Sequence, residues 1–148
     1  MNAPRKTLVI LMADDDADDR LLAQDAMHES RVLNELHFVE NGVELLSYLR
    51  GDDGYSDRTL YPMPGLILLD LNMPKMDGRE ALAAIKADLS LRRIPVVILT
   101  TSKADGDMMK GYDLGAASYI TKPVTFDALV ELMRTLGKYW VEFVELPC

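Results

Sequence analysis

The sequence predicts an α/β domain: a doubly wound, five-stranded parallel sheet with helices on both faces. Five short apolar runs alternate with segments whose apolar residues recur at helical spacing. The runs are continuously aliphatic, as expected of strands buried on both faces of a parallel sheet. At 148 residues the chain has the length of one domain with room for a substantial core.

The first strand is Thr7-Leu8-Val9-Ile10-Leu11-Met12-Ala13. A helix from Ala17 to about Ser30 follows, with Leu21, Leu22 and Ala26 at helical spacing. Leu36-His37-Phe38-Val39 is a short second strand, and Gly42–Leu49 a second helix with Val43, Leu45, Leu46 and Leu49 apolar. The polar stretch from Gly51 to Leu60 reads as a surface excursion rather than a domain boundary. Gly65-Leu66-Ile67-Leu68-Leu69, closed by Asp70, is the third strand, and Asp77 has the character of a helix N-cap. Ala81, Leu82, Ile85 and Leu89 mark one face of the third helix. Pro95–Leu99 and Ala117–Ile120 are the fourth and fifth strands. Helices near Ala104–Leu114 and over Thr125–Lys138 follow them, the last with Phe126, Leu129, Val130, Met133 and Leu136 inward.

Right-handed crossovers leave few topologies for this alternation, and the flavodoxin-like order 2-1-3-4-5 is the expected one. In that order the first and third strands are neighbours, and a crevice opens at their carboxyl ends. The predicted domain core covers about residues 7–138, followed by an apolar extension over 139–148.

Composition narrows the partners. A formal net charge of -8 and a pI near 4.7, with Lys and Arg scattered, argue against a nucleic-acid or anionic-membrane surface. Cys148 is the only cysteine, so no intrachain disulfide or Cys-rich metal site can form. That fits a cytoplasmic setting, as does the lack of a signal-peptide pattern or a membrane-length apolar run. His28 and His37 are isolated and receive no chemistry.

The chemistry gathers at one edge of the sheet. The first strand runs into Asp14-Asp15, the third into Asp70, the fourth into Thr100 and the fifth into Lys122-Pro123. Taken alone, Asp70 can be read as a cap for the turn before the next helix. Together these residues bring three carboxylates, a hydroxyl and an ammonium to one place. Clustered carboxylates call for a neutralising cation. Hard oxygen ligands without His or Cys suit Mg2+, which keeps waters for a phosphoryl group. A carboxylate beside Mg2+ and a lysine can attack phosphorus, because the cations offset the developing charge.

The segments Ala13-Asp14-Asp15, Asp70-Leu71-Asn72-Met73-Pro74 with Asp77-Gly78, Leu99-Thr100-Thr101-Ser102 and Tyr119-Ile120-Thr121-Lys122-Pro123 resemble the receiver domain of two-component response regulators. The resemblance runs from about Leu8 to Leu136, with the motifs in family order. It implies that Asp70 accepts a phosphoryl group from a sensor histidine kinase or histidine phosphotransfer protein. It implies further that Asp15 ligates Mg2+ directly, that Asp14 positions it through water and that the Asn72 backbone carbonyl adds a ligand. Lys122 then pairs with the phosphoryl oxygens, Thr100 and Tyr119 form the switch pair, and the Lys122–Pro123 bond is expected to be cis. Thr101 stands where many receivers carry Ala or Gly, so the lifetime of the phosphoryl group does not carry over. The remaining acids of the first run, Asp16, Asp18 and Asp19, read as a solvated helix start.

Met108, Met109 and Tyr112 form one apolar patch on the helix near 104–114, either core filling or part of an interaction face. Trp140 and Phe143, in the extension, either pack back on the domain or contribute a self-association surface. The expected homodimer joins this tail to the face made by the helix near 104–114, the fifth strand and the last helix. The tail, the loop before the third strand and the segment from Ile94 to Lys103 are together similar to single-domain regulators that partner phytochrome-type kinases. A phosphorelay intermediate or phosphate sink is an alternative use of the same site. An Asp-nucleophile phosphotransfer enzyme usually has a second acid two residues after the nucleophile, where this chain has Asn72. A flavodoxin-type binding module would need a phosphate cradle where Asp14–Asp16 stand.

Overall fold

The computed structural model describes residues 8–30, 34–71, 73–100, 115–116, 118–123 and 125–143. Five parallel strands form one sheet in the order β2-β1-β3-β4-β5. In chain order these are β1 (Leu8–Ala13), β2 (Asn34–Val39), β3 (Leu66–Asp70), β4 (Val96–Thr100) and β5 (Ser118–Thr121). The described helices are α1 (Ala17–Glu29), α2 (Gly42–Arg50), α3 (Gly78–Ala87) and α4 (Phe126–Phe143). The helix expected near 104–114, with Met108, Met109 and Tyr112, lies outside the described residues. Among the described residues no helix is long and apolar enough to cross a membrane.

Two apolar cores, one on each face of the sheet, explain the continuous strand runs. Leu11, Ala13, Ile67, Leu69 and Ile98 point to the face covered by α2 and α3, against Leu45, Leu49, Leu82 and Ile85. Ile10, Met12, Leu66, Leu68, Val97 and Leu99 point to the other, against Ala23, Ala26 and Met27 of α1 and Val130, Met133 and Leu136 of α4. Every residue of β3 is buried. Period-2 geometry sends alternate side chains to two dry faces, so both parities must be apolar.

Side-chain oxygens start three helices: Asp16 accepts from the N–H groups of Asp18 and Asp19, Asn41 from Glu44 and Asp77 from Glu80. Gly51, in the left-handed region at φ 75°, ends α2.

Several expected details are corrected. Leu21 and Leu22 are 59% and 45% exposed. The sheet-facing stripe of α1 is Ala23, Ala26 and Met27, all buried. Val43 and Phe126 are likewise exposed, each in the first turn of its helix. Leu89 lies beyond α3, which ends at Ala87, and is also exposed. The segment 51–65 is less of an excursion than expected, because Tyr55 and Tyr61 pack edge-on to each other and against the buried Tyr48. Arg58 closes this cluster by donating to the carbonyls of Tyr48, Leu49 and Tyr61. The last helix does not stop near Lys138. Its backbone continues through Trp140 to Phe143.

Candidate functional site

Strand register assembles the site. Ala13 pairs with Leu69 and Asp70 with Leu99, so Asp14, one residue past β1, comes level with Asp70 at the carboxyl edge. Thr100 pairs with Thr121, which sets Lys122 just beyond β5 at the same edge. Asp14 and Asp70 each lie two residues past a side chain on the α1/α4 face, Met12 and Leu68. Parity therefore turns both carboxylates toward the start of α1.

The backbone around them is tightly tied. The Asp14 N–H donates to the Val39 carbonyl, and Arg20 donates to the Asp14 carbonyl at 2.7 Å while pairing with Glu40. On the other side, the Leu71 N–H bonds to the Leu99 carbonyl, and the Gly78 N–H returns to the Leu71 carbonyl. Gly78 is required there: a Cβ would stand 2.9 Å from Leu71 Cα. In the intervening turn Lys75 adopts φ 66°, a left-handed conformation uncommon for a residue with a side chain.

One ammonium holds the site together. Lys122 Nζ lies 2.6 Å from Asp14 Oδ2, 2.6 Å from Asp19 Oδ2 and 3.4 Å from Asp70 Oδ2. Asp14 is fully buried, and its other oxygen accepts from the Asp16 N–H at 2.9 Å. Burial pushes the Asp14 carboxyl above its usual range, and the Lys122 ammonium offsets that only in part. Burial alone would lower the Lys122 ammonium, but Asp14, Asp19 and Asp70 outweigh it and move it well above the lysine range. Lys122 is therefore charged throughout the neutral range. Its bond to Pro123 is trans, not cis as expected. Trans is the default isomer of an X–Pro bond by about 0.5–1 kcal/mol, and from it the ammonium reaches all three carboxylates.

The carboxylates also form a cation-sized cradle. One oxygen from each of Asp14, Asp15 and Asp70 lies within 4.8 Å of the other two, with Asp14 and Asp70 buried and Asp15 exposed. Hard oxygen donors, one open to solvent, fit a divalent cation of the Mg2+ type that keeps part of its water.

The structure thus brings together Asp14, Asp15, Asp70 and Lys122, as the sequence predicts. Thr100 ends β4 and Tyr119 lies within β5 opposite Ile98, so both backbones run at the expected positions. Their side chains, and those of Trp140 and Phe143, lie outside what the structure describes, as does Asn72 entirely. Asp18 is exposed and Asp16 is a cap, as a solvated helix start requires. Asp19 departs from that reading, because its carboxylate belongs to the Lys122 cluster. The parity of Asp14, which aims the site at the first turn of α1, was the available signal.

Comparison with known proteins agrees with this geometry. Residues 10–134 match the response regulator receiver domain family. Response regulator Rcp1 of Synechocystis sp. is 39% identical over 139 residues, which cover 94% of this chain and 92% of that protein. The crystal structure of the phosphorylated cyanobacterial phytochrome response regulator RcpA superposes with a TM-score of 0.83 at 39% identity, covering 97% of this chain and 100% of that one. The Mn2+-bound form of Rcp1 superposes with a TM-score of 0.79 at 38% identity, over 95% and 99% of the two chains. A matching family pattern over most of its length, and a relative this similar end to end, establish that the chain belongs to the response regulator receiver domain family.

Proposed function

We propose that the chain accepts a phosphoryl group on Asp70 from a histidine kinase or histidine phosphotransfer protein, in a Mg2+-dependent reaction. The observation that carries this reading is the Lys122 ammonium set among the carboxylates of Asp14, Asp19 and Asp70 beside the Asp14–Asp15–Asp70 cradle. An Asp70 oxygen attacks phosphorus. The new O–P bond forms as the bond to the donor nitrogen breaks, and the electron pair of that bond stays on the donor imidazole. Lys122 lies close enough to Asp70 to meet the oxygens of the incoming group. Asp14, Asp15, Asp70 and the Asn72 backbone carbonyl are the residues that would hold Mg2+, whose charge offsets that of the phosphoryl oxygens.

The phosphoryl group brings charge and strong acceptor oxygens to the end of β3. In this reading the Thr100 hydroxyl moves to one of those oxygens, and Tyr119 turns into the space it leaves. The face around β5 and α4 then has two arrangements whose populations phosphorylation biases. The chain is a phosphoacceptor and signalling protein rather than an enzyme acting on other substrates. Its setting is cytoplasmic, where a kinase would reach it. Its likeness to the phytochrome response regulator RcpA favours a phytochrome-type kinase as the donor. A homodimer through the switch face, with the end of α4 contributing, is part of the same proposal.

Incubation with acetyl phosphate tests the core of this. One phosphoryl group per chain should appear with Mg2+ and none with a chelator. Labelling that ignores the metal would overturn the reading.

A further inference from the structure

The Lys122 ammonium is bonded closely to two carboxylates, and only one of them is part of the cation cradle. Asp14 and Asp70 bond the ammonium and also belong to the cradle that could hold a cation. Asp19 is outside the cradle, on the first turn of α1, and bonds Lys122 at 2.6 Å, closer than Asp70 does. The side chain of Asp19 is one-third exposed and that of Lys122 13% exposed, so the contact is partly shielded from water. A charge pair at that distance and depth is stronger than a fully exposed one.

We propose that Asp19 is a positioning residue for Lys122, a carboxylate that holds the ammonium on the α1 side when a cation occupies Asp14 and Asp70. Without Asp19 the ammonium keeps, among the described residues, only the two carboxylates that the cation needs, so lysine and cation compete for them. With Asp19 in place both positive charges have partners at once. The inference rests on the metal-dependent phosphoacceptor reading and adds to it a residue that touches neither the phosphoryl group nor the metal.

Calorimetric titration of Mg2+ into five proteins tests it: wild type, Asp19→Asn, Asp18→Asn, Lys122→Met and the Lys122→Met/Asp19→Asn double variant. Asp18→Asn removes an equal charge one residue away from an exposed position. Asp19→Asn should weaken Mg2+ binding about fivefold or more, and Asp18→Asn by less than about twofold. In the Lys122→Met background, Asp19→Asn should fall to the effect of Asp18→Asn. An equal loss in both backgrounds would make Asp19 a mere nearby charge and overturn the assignment. If removing Lys122 unfolds the chain, the crystal structure of Asp19→Asn decides instead. Lys122 Nζ should close on Asp70 to about 2.8 Å, and an unmoved ammonium would refute the tether. Labelling of the wild type by acetyl phosphate is run alongside. Its failure would sink the phosphoacceptor reading, whereas normal labelling with an indifferent Asp19→Asn would sink only this inference.

Discussion

Gly78 packs so closely on Asp70 that a Cβ at Gly78 would stand 2.6 Å from the Asp70 carbonyl oxygen. The first turn of α3 is thereby pressed against the end of β3, with the Gly78 N–H bonded to the Leu71 carbonyl. Gly78→Ala must push the turn away from the strand. The expected cost is about 1–3 kcal/mol, the usual range for forcing extra volume into a packed site. Urea unfolding measures it, and labelling of Asp70 should fall as the strand end shifts. A change within about 0.5 kcal/mol, the scatter of ordinary surface substitutions, would show that the contact relaxes freely.

The fully buried Asp14 carboxylate has a pKa raised from the ordinary 3.8, burial outweighing the Lys122 ammonium. A carboxyl raised in the folded state favours folding fully below its unfolded pKa and loses that contribution as pH rises through the folded value. Asp14→Asn carries no such charge. In chelator it should therefore unfold like the wild type near pH 3 and be the more stable of the two at pH 7. Urea midpoints at the two pH values check this. A variant less stable at pH 7 would mean that the lost Lys122 partner matters more than the relief of burial.

Asp15 is the exposed member of the cradle, and its removal tests the metal reading without disturbing the core. Mg2+ at a hundred times its dissociation constant should raise wild-type stability by about 2.7 kcal/mol. Asp15→Ala should abolish both this increment and phosphorylation, while Asp18→Ala keeps both. Thermal unfolding with Mg2+ and with chelator gives the answer. Identical Mg2+ responses from the two variants would remove Asp15 from the site.

The strands, their order and the four groups Asp14, Asp15, Asp70 and Lys122 were legible because each depends on one local fact. An aliphatic run such as Leu66–Leu69 has nowhere to lie but between two covered faces, and the polar residue after it must sit at the edge. Asp19 was not legible on the same terms. An acid in a first helical turn interacts well with the helix N-terminus whether or not anything else meets it. The reach of the Lys122 side chain from the end of β5 to the first turn of α1 singles it out. The inward face of α1 is hidden in the sequence for a related reason. Leu21 and Leu22 are more hydrophobic than Ala23 and Ala26, yet the helix turns both leucines to solvent and buries the two alanines against the sheet. Tyr55, Arg58 and Tyr61 lie in a polar stretch, and their packing on Tyr48 and the end of α2 is a tertiary fact with no periodicity to announce it.

The continuation of α4 to Phe143 carries Trp140 past the predicted helix end. In the proposed two-fold contact on the switch face, the commonest geometry for a pair of identical chains, this last turn and a half would contribute to dimerisation. Sedimentation should find the full chain dimeric at micromolar concentration and a chain ending at Lys138 shifted toward monomer. A full chain that stays monomeric at high micromolar concentration, with and without a phosphoryl mimic, would contradict it.

Asp70 is the proposed destination of the phosphoryl group. Borohydride reduction after phosphotransfer from an autophosphorylated histidine kinase tests it most directly, since an aspartyl phosphate is reduced to homoserine where it stands. Peptide mass spectrometry should find homoserine at position 70 alone, with Mg2+ present, and none in Asp70→Asn. Homoserine at Asp14, Asp15 or Asp19, or stoichiometric phosphorylation of Asp70→Asn, would contradict the account.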